Sequence, residues 1–196
     1  ERAMDLIAIA HPKFRPWLME SARKRTLIYK DQVFIPGEKG IYPEELEIYR
    51  TTSKGLNLFL RPAKITDESL LKDFFYDLSE DSLYKRFFSA RKDMPHKRLQ
   101  DFVAVDYSKK MEILATVVEK EREMIIGLGQ YELNSDMHSA EVALVVRDEL
   151  QGQGVGRVLL SYLIYLAKRQ GLLGFTGDVL VENRSMVRLF EKMGFD

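Results

Sequence analysis

The chain has 196 residues, 45% of them hydrophobic, and its 30 lysine and arginine residues balance 30 aspartate and glutamate residues. That length supports one domain with a substantial core plus an extra segment, and the zero net charge excludes a general basic field for nucleic acid. The absence of cysteine excludes disulfides, thiolate metal sites and a cysteine nucleophile, and the three histidines lie far apart, so no metal site is predicted. No apolar run approaches the roughly 20 residues that cross a bilayer. We therefore expect a soluble, cytoplasmic protein with no nucleic-acid or membrane partner.

The beginning of the chain predicts a helical segment followed by a linker. Residues 1–36 suggest two short helices, which bury too little surface to fold alone. A cluster of proline and glycine then marks a boundary at 36–40, and weakly patterned polar residues predict a linker over 37–56. The main domain is predicted to occupy 57–196.

The rest of the chain predicts a mixed order of helices and strands. Apolar residues recur with the helical or the strand period in successive segments, separated by turn residues. The pattern predicts a strand, three helices, three strands, a helix, a strand and a helix, in that order, over 56–60, 66–78, 83–88, 95–103, 113–118, 124–133, 140–146, 155–170, 175–181 and 183–193. The chain ends at Phe195-Asp196, where a further strand would be expected, so we expect that final strand to be missing. This order predicts a single mixed α/β domain.

The most informative segment joins the strand that ends at Val146 to the long helix. It reads Gln151-Gly152-Gln153-Gly154-Val155-Gly156-Arg157. Glycines at a helix start let the backbone approach a ligand, and the free N–H groups there attract phosphate oxygens. The turn therefore predicts a phosphorylated ligand, although the spacing fits neither the dinucleotide fingerprint nor a P-loop. A plain strand-to-helix connection is the alternative.

The pattern Gln151-x-x-Gly154-x-Gly156, placed between an apolar strand and an amphipathic helix, resembles the acetyl-CoA-binding motif of the GNAT acetyltransferase superfamily. The segment from Asn183 to Phe195 resembles the last helix of that family, and 78–107 is similar to its bacterial protein-lysine acetyltransferase branch. The resemblance covers 57–196. It implies a GNAT fold, an α/β (α+β) domain with a twisted mixed β-sheet flanked by helices, here with a helical N-terminal extension. It also implies transfer of an acetyl group from acetyl-CoA to an amine, with a protein lysine as the acceptor of that branch.

The resemblance further implies a set of cofactor-binding residues. The backbone of the strand would pair with the pantetheine arm, the N–H groups of the turn and the charge of Arg157 would hold the pyrophosphate, and Asn183 would bind the pantetheine. The implied set is Leu144, Val145, Val146, Gln151, Gly152, Gln153, Gly154, Val155, Gly156, Arg157, Asn183 and Phe190. As alternatives, Asn183 is only a helix cap and Arg157 only a solvated charge. Phe190 stands where many members carry a tyrosine that protonates the departing thiolate, and phenylalanine cannot do so.

Acetylation of an amine needs a base, because a lysine ammonium, with a pKa of about 10.4, has no lone pair. Glu141 is the candidate, since it is an acid in the otherwise apolar strand 140–146, where burial would make its carboxylate more basic. The resemblance implies the same role. A backbone N–H near Val145 would hold the oxyanion that develops. The alternative is that Glu141 lies on a solvent face.

The N-terminal segment carries a resemblance of its own. Residues 9–15 and 18–22 resemble the C-terminal end of the acetyl-CoA hydrolase/transferase family, which implies that the GNAT-like domain is fused to a larger enzyme that handles acyl-CoA. No catalytic residue is carried across from that family. Two other functions stay open, a non-catalytic module that senses acetyl-CoA and an acetyltransferase for small amines.

Overall fold

A six-stranded sheet organises the protein in a computed structural model that describes residues 2–35, 41–89, 93–135 and 138–195. The strands lie side by side in chain order: β1 (Ile48–Thr51), β2 (Asn57–Pro62), β3 (Lys110–Glu119), β4 (Arg122–Leu133), β5 (Ser139–Val146) and β6 (Gly174–Thr176). The first five strands are antiparallel to their neighbours, and β5 and β6 are parallel. The predicted mixed sheet is therefore confirmed.

Helices cover both faces of this sheet. In the described part of the chain they are α1 (Arg2–Ile9), α2 (Arg15–Lys24), α3 (Glu68–Asp77), α4 (Glu80–Phe87), α5 (His96–Val103), α6 (Val155–Arg169) and α7 (Arg184–Lys192). The core beneath α6 and α7 and the core beneath α3 to α5 lie on opposite faces of the strands. Helix α6 lies close to β4 because Gly127 and Gly129 face it; a Cβ at either would come within 3.0 Å of a leucine of α6. None of the helices in these ranges is long and apolar enough to cross a membrane.

The N-terminal helices predicted over 1–36 are confirmed, and they form a small core of their own. Met4, Ile7, Met19 and Ala22 are buried together. The following segment is fastened to α5, because the buried Gln32 side chain donates a hydrogen bond of 3.0 Å to Gln100 Oε1. The domain boundaries and the resemblance of this segment to the acetyl-CoA hydrolase/transferase family stay predictions.

Two segments differ from the sequence prediction. The stretch 37–56, predicted as a linker, contains the edge strand β1, whose residues from Tyr49 to Thr51 are exposed and so lack the alternating apolar pattern of a half-buried strand. The strand predicted over 175–181 ends already at Thr176. Beyond it the chain passes so close to α7 that a Cβ at Gly177 would lie 2.9 Å from the Phe190 ring. The proline and glycine cluster at 36–40 lies outside the described residues, and the absence of a final strand stays a prediction.

Candidate active site

The glycine turn presents free backbone N–H groups at the start of α6. A short 3-10 turn at Asp148–Leu150 leads into it, and Gly152 and Gly154 adopt φ values of 71° and 91°, which favour glycine. Gly154 is the N-terminal cap of α6, and no side chain accepts a hydrogen bond there. The N–H groups of 155–157 therefore have no partner within the helix. Together with the helix dipole, they suit the oxygens of a phosphate.

Strand β5 has an open edge next to this turn. Strand β6 pairs with β5 only at positions 139–141, so 142–146 has no strand on that side within the described residues. The opening between β5 and β6 is the gap that the family resemblance implies for a pantetheine arm.

The ladder between β4 and β5 decides which backbone groups face the gap. The Arg147 N–H donates to the Ile126 carbonyl at 2.9 Å, so that pair is hydrogen-bonded. Hydrogen-bonded and non-bonded pairs alternate in an antiparallel ladder, so Val145 also points its N–H at β4. The N–H groups of Leu144 and Val146 point into the gap. Near Val145, the N–H groups that are open to a ligand are therefore those of these two neighbours.

The edge and the turn enclose a recess of about 300 Å³. Nine of the twelve cofactor-binding residues predicted from the sequence line it: Leu144, Val145, Val146, Gln151, Gly152, Gly154, Gly156, Arg157 and Asn183. Lys85 and Arg86 of α4 add two further cationic side chains. Gln153 belongs to the turn without lining the recess, and Val155 is buried in the core. A narrow cavity with cationic walls beside free N–H groups fits a phosphate-bearing thioester.

Two side chains fix the turn to its surroundings. Gln151 donates through Nε2 to Ser82 Oγ at 3.0 Å and to the Val146 carbonyl at 3.2 Å. The Asp148 carboxylate accepts hydrogen bonds from the Ser79 N–H and hydroxyl at 2.9 and 2.7 Å, and from the Ser82 hydroxyl at 2.7 Å. Burial acts to raise the pKa of Asp148, but these hydrogen bonds outweigh it and lower the pKa. Asp148 carries no local signal in the sequence, because its partners lie 66 and 69 residues away along the chain.

Asn183 and Phe190 occupy different surroundings. Asn183 is buried at the start of α7, and its Oδ1 accepts from the Met186 N–H at 3.3 Å and the Ser185 hydroxyl at 3.0 Å, which makes it the helix cap. Because it also lines the recess, its capping role leaves a ligand contact open. Phe190 does not line the recess. Its ring is buried, stacks on Phe195 with 4.6 Å between centroids, and faces a separate groove between α6, β6 and α7.

Glu141 lies near the start of β5 with its side chain exposed. The burial that the sequence hypothesis assumed is therefore wrong, and the solvent-face alternative describes its position. The residue shares a face with Val145, four positions on, which is the residue of β5 that reaches the core beneath α3 to α5. In register, Glu141 lies between Glu132 on β4 and Thr176 on β6.

A second acid on the same face was not found from the sequence. Glu112 of β3 is fully buried, and burial raises its pKa to about 7, although Lys110, with Nζ 2.7 Å from Oε1, and Arg86 both favour the ionised form. Burial lowers the pKa of Arg86, and the charges of Glu112 and Glu141 oppose that shift. Like Glu141, Glu112 is an isolated acid in an apolar strand, so the same sequence signal could have found it.

Comparisons with known proteins decide the family. The model of the acetyltransferase (GNAT) family matches residues 72–195. The chain belongs to this family. It is an acetyltransferase, and acetyl-CoA is the acetyl donor of GNAT enzymes. The six-stranded sheet with flanking helices agrees with the GNAT fold.

Named relatives support this assignment. The chain is 27% identical over 141 residues to the acetyltransferase PA5475 of Pseudomonas aeruginosa, covering 72% of this chain and 76% of the relative. It is 30% identical over 138 residues to the acetyltransferase Pat of Mycolicibacterium smegmatis, covering 69% of this chain but only 40% of Pat. The GNAT domain of S. lividans PAT superposes with a TM-score of 0.72 at 27% identity, covering 78% of this chain and 89% of that domain.

Proposed function

We propose that this GNAT domain transfers an acetyl group from acetyl-CoA to the side-chain amine of a protein lysine. The observation that carries the proposal is the juxtaposition of an open strand edge and glycine turn with acids on the adjoining face of the sheet. The strand edge and the glycine turn suit a phosphorylated thioester, and the acids attract an ammonium group. The likeness of 78–107 to the protein-lysine acetyltransferase branch favours a lysine over other amines.

The donor side of the site consists of β5 residues 144–146, the turn 151–157 and Asn183. When bound there, acetyl-CoA supplies an acetyl group activated as a thioester. The free N–H groups of 155–157 and the Arg157 charge hold phosphate oxygens, while the Leu144 and Val146 N–H groups face the arm of the molecule. One of these two N–H groups polarises the thioester carbonyl and stabilises the charge that develops on its oxygen.

Glu141 acts as the general base in this proposal. Its carboxylate takes a proton from the lysine ammonium, which restores the nitrogen lone pair needed for attack. The exposure of Glu141 suits this role, because an acceptor carried on a protein surface reaches an open carboxylate more easily than a buried one. The neutral nitrogen attacks the thioester carbonyl, and the C–S bond breaks as the amide bond forms. The nitrogen gives its second proton to water, and the departing thiolate takes a proton from water, since Phe190 carries no acidic proton and does not line the recess.

Two broader features belong to the proposal as well. We infer from the resemblance of 9–22 that the domain is fused to an acyl-CoA hydrolase/transferase, and from composition that it acts in the cytoplasm. Small-amine acetylation is the second candidate, because the exposed Glu141 would also serve a free diamine or polyamine.

The test is incubation of the protein with isotope-labelled acetyl-CoA, a cell lysate and added polyamines, followed by mass-spectrometric mapping of the label. We expect label on protein lysines, lost with Glu141→Gln and kept with Glu119→Gln, an exposed acid at the far end of β3. Label on polyamines alone would replace the lysine acceptor by a small amine. Label on neither would contradict acetyl transfer and support the sensing module.

A further inference from the structure

One lysine lies in the wall of the recess that we assign to acetyl-CoA. Among the lysines in the described ranges, Lys85 of α4 is the one that lines this cavity, together with β5 from Leu144 to Val146. Its side chain is 29% exposed, so most of it is enclosed. A primary amine is the group that the bound thioester acetylates. The site therefore contains an acceptor of its own.

The start of α4 is fixed against the glycine turn. Ser82 accepts a hydrogen bond from Gln151 Nε2 at 3.0 Å and donates one to the Asp148 carboxylate at 2.7 Å. Ser82 also lines the recess, and Lys85 follows three residues later on the same face of the helix, about 4.5 Å farther along its axis. The hydrogen bonds of Ser82 therefore hold Lys85 at the recess, next to the turn that holds the phosphates.

The recess brings the Lys85 side chain and the thioester carbonyl into one small space. Leu144 and Val146, one of which polarises that carbonyl in the proposed function, lie in the wall of the same cavity. The cavity measures about 300 Å³, and a lysine carries its ammonium group on a flexible four-carbon stem. Confinement of two reacting groups replaces a bimolecular encounter and raises the rate of their reaction. Transfer to Lys85 therefore competes with transfer to an external acceptor.

Lys85 has a neighbour that can take its proton. The ammonium group forms an ion pair with Asp81, four residues earlier on α4, and the Asp81 side chain is 67% exposed. An exposed pair at this spacing contributes little to stability, so the lysine leaves it at small cost. The Asp81 carboxylate accepts a proton as the lysine turns toward the thioester.

We propose that Lys85 is a self-acetylation site, at which acetyl-CoA bound in the recess modifies the protein when no external acceptor is present. Asp81 takes one proton from the Lys85 ammonium, and the neutral nitrogen attacks the thioester carbonyl. The C–S bond breaks as the amide bond forms, the nitrogen gives its second proton to water, and the departing thiolate takes a proton from water. This inference rests on the donor side of the proposed function and needs neither Glu141 nor a protein acceptor.

Self-acetylation limits the activity of the domain. Acetyl-lysine carries no charge, so the recess loses one of the three cationic side chains in its wall, which are Lys85, Arg86 and Arg157. The added acetyl group also occupies part of the cavity. Both changes weaken the binding of a phosphate-bearing donor. The modification therefore acts as a brake when acetyl-CoA is abundant and acceptors are scarce.

The test is incubation of the purified protein with isotope-labelled acetyl-CoA and no acceptor, followed by mass-spectrometric mapping of the labelled lysines over time. We expect Lys85 to be labelled at least tenfold faster than Lys72, an exposed lysine of α3 outside the recess, which reports the uncatalysed background. The half-time should not change when the protein is diluted at fixed acetyl-CoA, because the transfer is intramolecular. Glu141→Gln should keep the labelling of Lys85, whereas Gly154→Ala, which disturbs the turn, should slow it.

Two variants of Lys85 check the site and its consequence. Lys85→Arg should abolish the label at this position while Lys72 keeps its background label. Calorimetry with coenzyme A, which has no acetyl group to transfer, should show a several-fold weaker affinity for Lys85→Gln than for Lys85→Arg. Glutamine imitates the uncharged acetyl-lysine, and arginine keeps the positive charge. Equal affinities of the two variants would contradict the brake.

The contrary outcomes differ from one another. Equal labelling of Lys85 and Lys72, in a protein that binds coenzyme A, contradicts self-acetylation while the donor side stands. Labelling that slows in proportion to dilution shows transfer between molecules and contradicts the intramolecular step. A protein that binds no coenzyme A overturns the proposed function, and this inference falls with it.

Discussion

The proposed donor side and the proposed acceptor side of this site differ in the groups that form them. The donor side consists mainly of backbone between 144 and 157, together with Asn183, and the side chains that fix it, Gln151 and Asp148, are hydrogen-bonded. The acceptor side, which we define as Arg86, Glu112, Gln130 and Glu141, draws side chains from one helix and three strands. Arg86 Nε and Gln130 Oε1 are buried without a hydrogen-bond partner in the described part of the chain, whereas the Glu112 carboxylate is ion-paired with Lys110 at 2.7 Å. A region built from backbone fixes where a ligand lies, whereas a region built from ionisable side chains can take up a proton.

The largest expected effect separates the two sides by removing the base. Glu141→Gln should lower kcat by about 10²- to 10⁴-fold, because the amine then loses its proton acceptor. Acetyl-CoA affinity, measured by calorimetry, should stay unchanged, since Glu141 does not line the recess. An unaltered kcat in Glu141→Gln would contradict the role of Glu141 as the base of the acceptor side.

The next effect concerns the stability of the acceptor side. The pKa of Glu112 rises from 4.5 to about 7 on folding, so the folded protein holds this proton more tightly than the unfolded chain does. Its ionisation therefore lowers the free energy of unfolding as pH rises from 4.5 to 7, by about 3 kcal/mol in total. The Glu112→Gln variant has no such ionisation and keeps its free energy of unfolding over this range. The Tm of the variant minus the Tm of the wild type should therefore increase between pH 5 and pH 8. A Tm difference independent of pH would contradict the buried, titrating acid.

A glycine substitution tests the donor side alone. Gly154 adopts a φ of 91°, and a Cβ there would lie 3.2 Å from Thr52. Gly154→Ala should therefore distort the start of α6 and weaken acetyl-CoA binding by about tenfold or more, through strain on the order of 1–2 kcal/mol. Gly171→Ala is the matched control, because Gly171 has a φ of 78° in open space outside the recess. Equal losses of acetyl-CoA affinity in the two variants would show that the turn has no special role in binding.

The smallest effect concerns the link between the donor side and α4. Asp148→Asn should lower the free energy of unfolding by about 1 kcal/mol, the usual net contribution of a hydrogen bond. Because the pKa of Asp148 is lowered in the folded state, its contribution is present above its ordinary pKa and is lost in acid. The difference from wild type in urea unfolding should therefore shrink as pH falls through that range. Asp73→Asn, an exposed change on α3, should have no comparable effect.

The same division explains how much of the molecule could be read from the sequence. The elements from α3 to α6 were predicted because apolar periods and turn residues are local signals. The donor side, which stays a proposal, rests on signals that are equally local, a glycine turn and a capping asparagine. Strand β1 was missed because an exposed edge strand carries little apolar alternation. On the acceptor side, Glu112 and Glu141 give the same local signal, an acid in an apolar strand. Which of them is buried depends on the helices packed over the sheet, and no local pattern contains that information.

The central claim is that acetyl-CoA binds along the open edge of β5 with its phosphates at the turn 151–157. The most direct measurement is a titration of the nitrogen-15-labelled protein with acetyl-CoA, followed through the backbone amide resonances. The account predicts that the largest shifts occur at Leu144, at Val146 and over 152–157. Shifts centred instead on the groove beside Phe190, or no shifts at all, would contradict it.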